Sequence, residues 1–157
     1  MFSEPFARPA GGLQRIAPLA AMAFLAAAAF GCSPKPPAEL AVREAWIRPA
    51  KAGQTTAAYL VVGGGAQDDR LLGGAFADAA ATELHETLLE GDMVRMVPRP
   101  EGMVVPAGGE LVLAPRGAHL MLMTLTRDLV EGEDVALTLA FEGAGARTVT
   151  AEVRQDE

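Results

Sequence analysis

The chain has 157 residues, enough for one ordinary domain, with 13 basic and 20 acidic side chains and a formal net charge of −7. The shortage of Lys and Arg argues against a nucleic-acid partner, because phosphate binding needs a cationic surface. The single cysteine, Cys32, excludes an internal disulfide.

The N-terminus reads as an export signal. Arg8 and Arg15 precede an apolar run from Ile16 to Phe30 that Pro18 interrupts. The run falls short of the roughly 20 residues that a membrane-spanning helix needs. Glu4 is an unusual acidic residue for such a start. Two endings fit. Ala29-Phe30-Gly31-Cys32 resembles a bacterial lipoprotein box, in which Cys32 would be lipidated and become the first mature residue. Ordinary cleavage near Ala27-Ala28-Ala29 would instead leave Cys32 free. An unpaired thiol is a liability in an oxidising compartment, which favours lipidation. Residues 1–32 are therefore read as the signal. Residues 33–40, with three prolines, form a stiff tether between membrane and domain.

Residues 41–157 are read as one domain of short strands separated by Gly, Pro and Asp turns. Strands are expected at Val42 to Ile47, Ala57 to Val62, Leu71 to Phe76, Ala81 to Leu88, Met93 to Val97, Glu110 to Leu113 and Ala118 to Leu125. Val135 to Phe141 and Arg147 to Val153 read as a closing hairpin around Gly143-Ala144-Gly145. Ala77 to Glu83 reads as a bend, because Asp78 and Thr82 disfavour even one helical turn there. No amphipathic helix of ordinary length is visible after residue 40. The pattern predicts an all-β fold, an immunoglobulin-like or cupredoxin-like Greek-key β-sandwich.

The chemistry-bearing residues are concentrated. Both histidines and every methionine beyond Met22 fall in the single stretch from His85 to Met123: His85, Met93, Met96, Met103, His119, Met121 and Met123. Imidazole and thioether are borderline and soft donors that together suit a soft monovalent ion such as Cu(I). Strand alternation puts His119, Met121 and Met123 on one face of Ala118 to Leu125, with Leu120, Leu122 and Thr124 on the other. His85 shares a face with Glu83 and Thr87. Met96 precedes Val97-Pro98, which points to a strand end or edge. Met93 is an odd number of positions from Met96 and is assigned to the core or to the surroundings of the ligands. Met103 is assigned to packing.

These pieces carry a family resemblance. Ala45-Trp46-Ile47-Arg48-Pro49, Thr56-Ala57-Ala58-Tyr59-Leu60, Glu83-Leu84-His85-Glu86, Val94-Arg95-Met96, Pro106-Ala107-Gly108-Gly109 and His119-Leu120-Met121-Leu122-Met123 resemble the periplasmic PCuAC-type copper chaperones of bacteria. That family's motif is His, ten residues, Met, twenty-one residues, His-x-Met. The spacing from His85 to Met96 meets the motif, whereas that from Met96 to His119 is longer by one. The extra residue is assigned to the loop around Arg99 to Gly102, where insertion is cheap. Thr87 stands where many members have a further Met.

The resemblance implies a cupredoxin-like sandwich with one exposed Cu(I) site on His85, Met96, His119 and Met121. Met123 is left as core or as a neighbouring sulfur. It further implies delivery of copper to an accepting protein, a cytochrome c oxidase subunit or another carrier, with membrane contact only through the N-terminal lipid. The chain ends Val153-Arg154-Gln155-Asp156-Glu157, so no second, His/Met-rich copper site is expected there. An electron-transfer cupredoxin would need a cysteine ligand in the domain. An enzyme is not expected either: there is no Ser-His-Asp pattern, and two histidines give little acid–base machinery. The rival reading is a metal-free, membrane-tethered interaction or assembly module.

Overall fold

The computed structural model describes residues 39–91 and 93–156. The signal, Cys32 and residues 33–38 of the tether lie outside the described residues. Ten strands are described: β1 (Ala41–Ile47), β2 (Thr56–Gly63), β3 (Asp69–Phe76), β4 (Ala79–Glu90), β5 (Met93–Pro98), β6 (Met103–Val105), β7 (Glu110–Leu113), β8 (Ala118–Leu125), β9 (Asp134–Phe141) and β10 (Gly145–Val153).

They form one coiled sheet in the order β5-β4-β8-β7-β2-β1-β10-β9-β3-β6. β2 pairs with β8 through Thr56–Ala58 and with β7 through Leu60–Gly63, while β1 pairs in parallel with β10. The sheet folds over so that β3 lies against β4 and β8, and β6 lies beside β7. This is the expected all-β, cupredoxin-like architecture. β9 has the cleanest alternation, with Val135, Leu137, Leu139 and Phe141 buried between outward residues. Its inward residues meet Leu60, Leu71, Leu84, Leu120, Leu122 and Val153 in one core.

Two backbone features shape the site-bearing face. β1 carries one extra residue between Arg43, opposite Val61, and Trp46, opposite Tyr59. Glu44 takes a φ of 54° within this bulge. The bulge resets the alternation, so Ile47 enters the core while Trp46 lies on the outer face beside Tyr59. At the exit of β2, Gly64 lies against the turn at Pro106, where a Cβ would come within 1.9 Å of the Pro106 carbonyl oxygen. Gly64 N–H donates to Gly109 O at 2.8 Å, and Gly108 N–H donates to Gly65 O at 2.9 Å.

Several expectations are corrected. The bend predicted over Ala77 to Glu83 is confined to Ala77-Asp78, and β4 resumes at Ala79 because Ala79 and Ala81 pair with Leu125 and Met123. Met103 packs against the core, but within a short strand, β6, that the turn signals around it conceal. Met93 is no core residue: it is 70% exposed at the end of the β4–β5 hairpin, opposite Glu90. Alternation on β8 lapses at Thr124, which takes a φ of 51°, is exposed, and hands the core position to Leu125.

Candidate metal centre

β4 and β8 run antiparallel in a register that sets His85 directly opposite His119 and Glu83 opposite Met121. Opposed residues project to the same side of a sheet, so the two imidazoles and the Met121 thioether share a face. The histidine rings are 6.0 Å apart between centroids and inclined by 23°. β5, the terminal strand of the sheet, adds Met96 opposite Thr87 and Pro98 opposite His85. The sequence-predicted donors, far apart along the chain, are thereby gathered on three adjacent strands.

Both histidines are buried, at 8% and 4% exposure. His119 Nδ1 lies 3.1 Å from Gly117 O. A carbonyl accepts, so Nδ1 carries the proton and Nε2 keeps its lone pair. The same carbonyl accepts Thr87 N–H at 3.1 Å, tying β4 to the turn that leads into β8. His85 differs. Its Nε2 lies 3.6 Å from Glu83 Oε2, and its Nδ1 is buried with no hydrogen-bond partner among the described residues. A buried polar atom in that state is uncommon in folded proteins and marks a place for a water or an ion. Glu86, on the opposite face, is occupied: Arg99 donates to it through Nε at 2.8 Å and through Nη2. That contact holds the Arg99 guanidinium above its ordinary pKa.

An open cleft of about 680 Å³ borders His119, with Met96, Met121, Thr87 and Tyr59 among its other lining residues; His85 is not part of that lining. Met96 is 55% exposed, whereas Met121 is half-buried on its central strand. Met123 is half-buried opposite Ala81, two positions further along the same face. Met93 faces away from Met96 across the alternation of β5. Among the described residues no group of three His, Cys, Asp or Glu is disposed for a metal. A hard cation therefore finds no ligand set of that kind, while two imidazoles and two thioethers match a soft monovalent one.

The aromatic surroundings of His119 are not evident from the sequence alone. The Tyr59 ring lies 6.4 Å from that of His119, and the Trp46 ring lies 4.6 Å from Tyr59, tilted by 37°. Arg48 lies over Tyr59 and Arg154 over Trp46, and Arg48 also donates to Asp156 at 2.6 Å. Burial pushes the Tyr59 phenol above its ordinary pKa, with Arg48 opposing and Asp156 reinforcing. The ring is therefore an uncharged wall beside His119. The available signal is the chain's one Trp and one Tyr standing in neighbouring strands, but the bulge that turns Trp46 toward Tyr59 leaves no mark.

The match to known proteins agrees with this architecture. Residues 40–153 match the model of the LpqE-like lipoprotein family. A protein of Leifsonia xyli subsp. xyli, Lxx21020, named as a lipoprotein, is 33% identical over 113 residues, covering 72% of this chain and 68% of its own. Among solved structures, the copper-bound PCuAC domain from PmoF2 aligns with a TM-score of 0.60 at 22% identity, covering 76% of this chain and 98% of that one. Cu(I)-DR1885 from Deinococcus radiodurans aligns with a TM-score of 0.59 at 29% identity, covering 81% and 84%. The chain belongs to the LpqE-like family and has the β-fold of PCuAC domains.

Proposed function

We propose that this protein is a copper chaperone that holds one Cu(I) on His85, Met96, His119 and Met121 and passes it to a copper-accepting protein. The observation that carries the reading is the buried, unpartnered Nδ1 of His85 opposite His119, with two thioethers on the same face. Similarity to Cu(I)-DR1885 supports the same ion, and likeness to a copper-bound PmoF2 domain supports copper.

The ligand chemistry suits a carrier rather than an enzyme. Four neutral donors leave the loaded site at one positive charge, with no thiolate to expel on release. Thioethers favour Cu(I) over Cu(II), and they outlast paired cysteines where thiols are oxidised. The buried histidines anchor the ion, and the exposed Met96 is the donor an incoming ligand can displace. The destination proposed is the copper site of cytochrome c oxidase, reached directly or through another carrier. The chain is exported to the periplasm, cleaved before Cys32, and anchored to a bacterial membrane by lipid on that residue. The lipoprotein names of its family and of its Leifsonia relative support this address.

The test is anaerobic Cu(I) titration of residues 33–157 against a competing chelator, beside a His119→Ala/Met121→Ala variant. One tight equivalent, lost in the variant, is expected. No binding by the intact folded domain would refute the copper reading and favour the metal-free tethered module.

A further inference from the structure

The β4–β5 hairpin leaves large apolar side chains in solvent. Leu89 is 75% exposed, Val94 65% and Met96 55%. Leu89 is paired with Val94, and Thr87 with Met96, so these side chains share the face that carries His85 and His119. Isolated exposed apolar residues are ordinary, but a contiguous strip beside a binding cleft marks an interaction site. β5 is also an end strand of the sheet, with one edge unpaired among the described residues.

Charge narrows the occupant. The chain has 20 acidic and 13 basic side chains, yet the charged residues lining the cleft are Arg48, Arg116 and Asp156, two basic against one acidic. Arg116 is exposed, is held in a turn at a φ of 67°, and makes no ion pair with an acidic side chain among the described residues. A bound monovalent cation would add to this local excess. A second copy would present the same arginines and repel. A partner with an apolar patch edged by carboxylates complements both features.

We propose that this apolar strip and Arg116 form the docking surface for the copper-accepting protein, whose contact patch is apolar with an acidic rim. The proposal rests on the copper-chaperone reading and deepens it. Met96 is both a donor and part of the strip, so a partner seated on the hairpin reaches the ion from the side where it is least buried. Docking thereby brings the partner's own ligands to the copper as Met96 gives way, and the ion crosses without release into water.

The test measures Cu(I) transfer from the loaded full-length chain to the purified, copper-free soluble copper domain of the host's cytochrome c oxidase. The variants are Leu89→Thr/Val94→Thr and Arg116→Glu. Neither removes a proposed ligand, and threonine keeps β-propensity at exposed positions. Melting curves and chelator competition check that each variant folds and holds Cu(I) within twofold of wild type. The expected result is a transfer rate at least tenfold lower for each variant. Wild-type transfer should slow as salt rises, and that salt dependence should be lost in Arg116→Glu. Unchanged rates in both variants would overturn the proposal, as would a loaded wild-type chain that transfers nothing to this acceptor. Dimerisation lost in Leu89→Thr/Val94→Thr, or hairpin-dependent binding to phosphatidylglycerol vesicles, would overturn it in favour of self-association or a lipid surface. Failure of the wild-type chain to hold Cu(I) would instead refute the underlying copper reading.

Discussion

Replacing His85 by leucine separates two roles that a metal ligand usually combines. His85 Nδ1 is buried without a hydrogen-bond partner among the described residues, and a polar atom left in that state costs about 1–3 kcal/mol. Leucine is close to histidine in volume and has no polar side-chain atom. The exchange forfeits the stacking against His119, worth about 0.5 kcal/mol at this separation. The net expectation for His85→Leu is a gain of about 1 kcal/mol in metal-free stability. His119→Leu supplies the opposite sign. It loses the bond to Gly117 O, worth about 0.5–1.5 kcal/mol net, without orphaning a carbonyl that still accepts Thr87 N–H. It also loses the same stacking, so a loss of about 1 kcal/mol is expected. The two variants should differ by about 2 kcal/mol, or about 8 °C in Tm at about 4 °C per kcal/mol. Thermal and urea denaturation in the presence of chelator measure this difference, and Cu(I) competition should find tight binding lost in both variants. If His85→Leu melts below wild type by as much as His119→Leu, the nitrogen has a partner in solution and the reasoning fails.

Met96→Leu should leave Tm within about 1 °C, because the side chain is 55% exposed; chelator competition should find Cu(I) affinity at least about tenfold lower, equivalent to ~1.4 kcal/mol. Met121→Leu should lose affinity similarly and cost less than ~1.5 kcal/mol of stability in urea, as a volume-conserving exchange does. Gly64→Ala should destabilise by about 1–3 kcal/mol in the same assay, because its Cβ would meet the Pro106 carbonyl at 1.9 Å. Acid should unfold the domain partly through Asp69. Burial pushes this carboxyl up, but the N–H groups of Gly143, Arg70 and Ala144 outweigh it and hold the pKa below the ordinary 3.8. The stabilisation is therefore present above that value and is lost as pH falls through the lower folded one. Asp69→Asn should flatten the fall in Tm on acidification below about pH 4.

How far the sequence can be read depends on whether a feature is local. β8 is delimited to the residue, Ala118–Leu125, because Leu120 and Leu122 alternate with His119 and Met121. That alternation assigns each histidine a face of its own strand, but not the pairing that sets His85 against His119. The register comes from β4 and β8 meeting across a long stretch of intervening chain, and only the family motif implies it. Ala79 and Ala81 have little strand propensity and extend β4 because β8 lies beside them. Met103-Val104-Val105 is too short for a period to show. Trp46 is visible, but its facing depends on one extra residue at Glu44-Ala45 that reads like any other strand residue. The exposure of Met93 follows from its position at a hairpin end, where alternation no longer implies burial.

The parallel pairing of β1 with β10 bears on the order in which this chain can acquire its shape. Trp46 and Ile47 lie beside Glu152 and Val153, so the first strand of the domain has one neighbour until the last strand has been made. A chain emerging N-terminus first can form the β1–β2 and β4–β5 hairpins early, but its sheet stays open along β1 until translation nears its end. Such a chain remains threadable for longer than one whose early strands complete a core by themselves. For the export proposed above, late closure would keep the domain from completing its fold before it crosses the membrane.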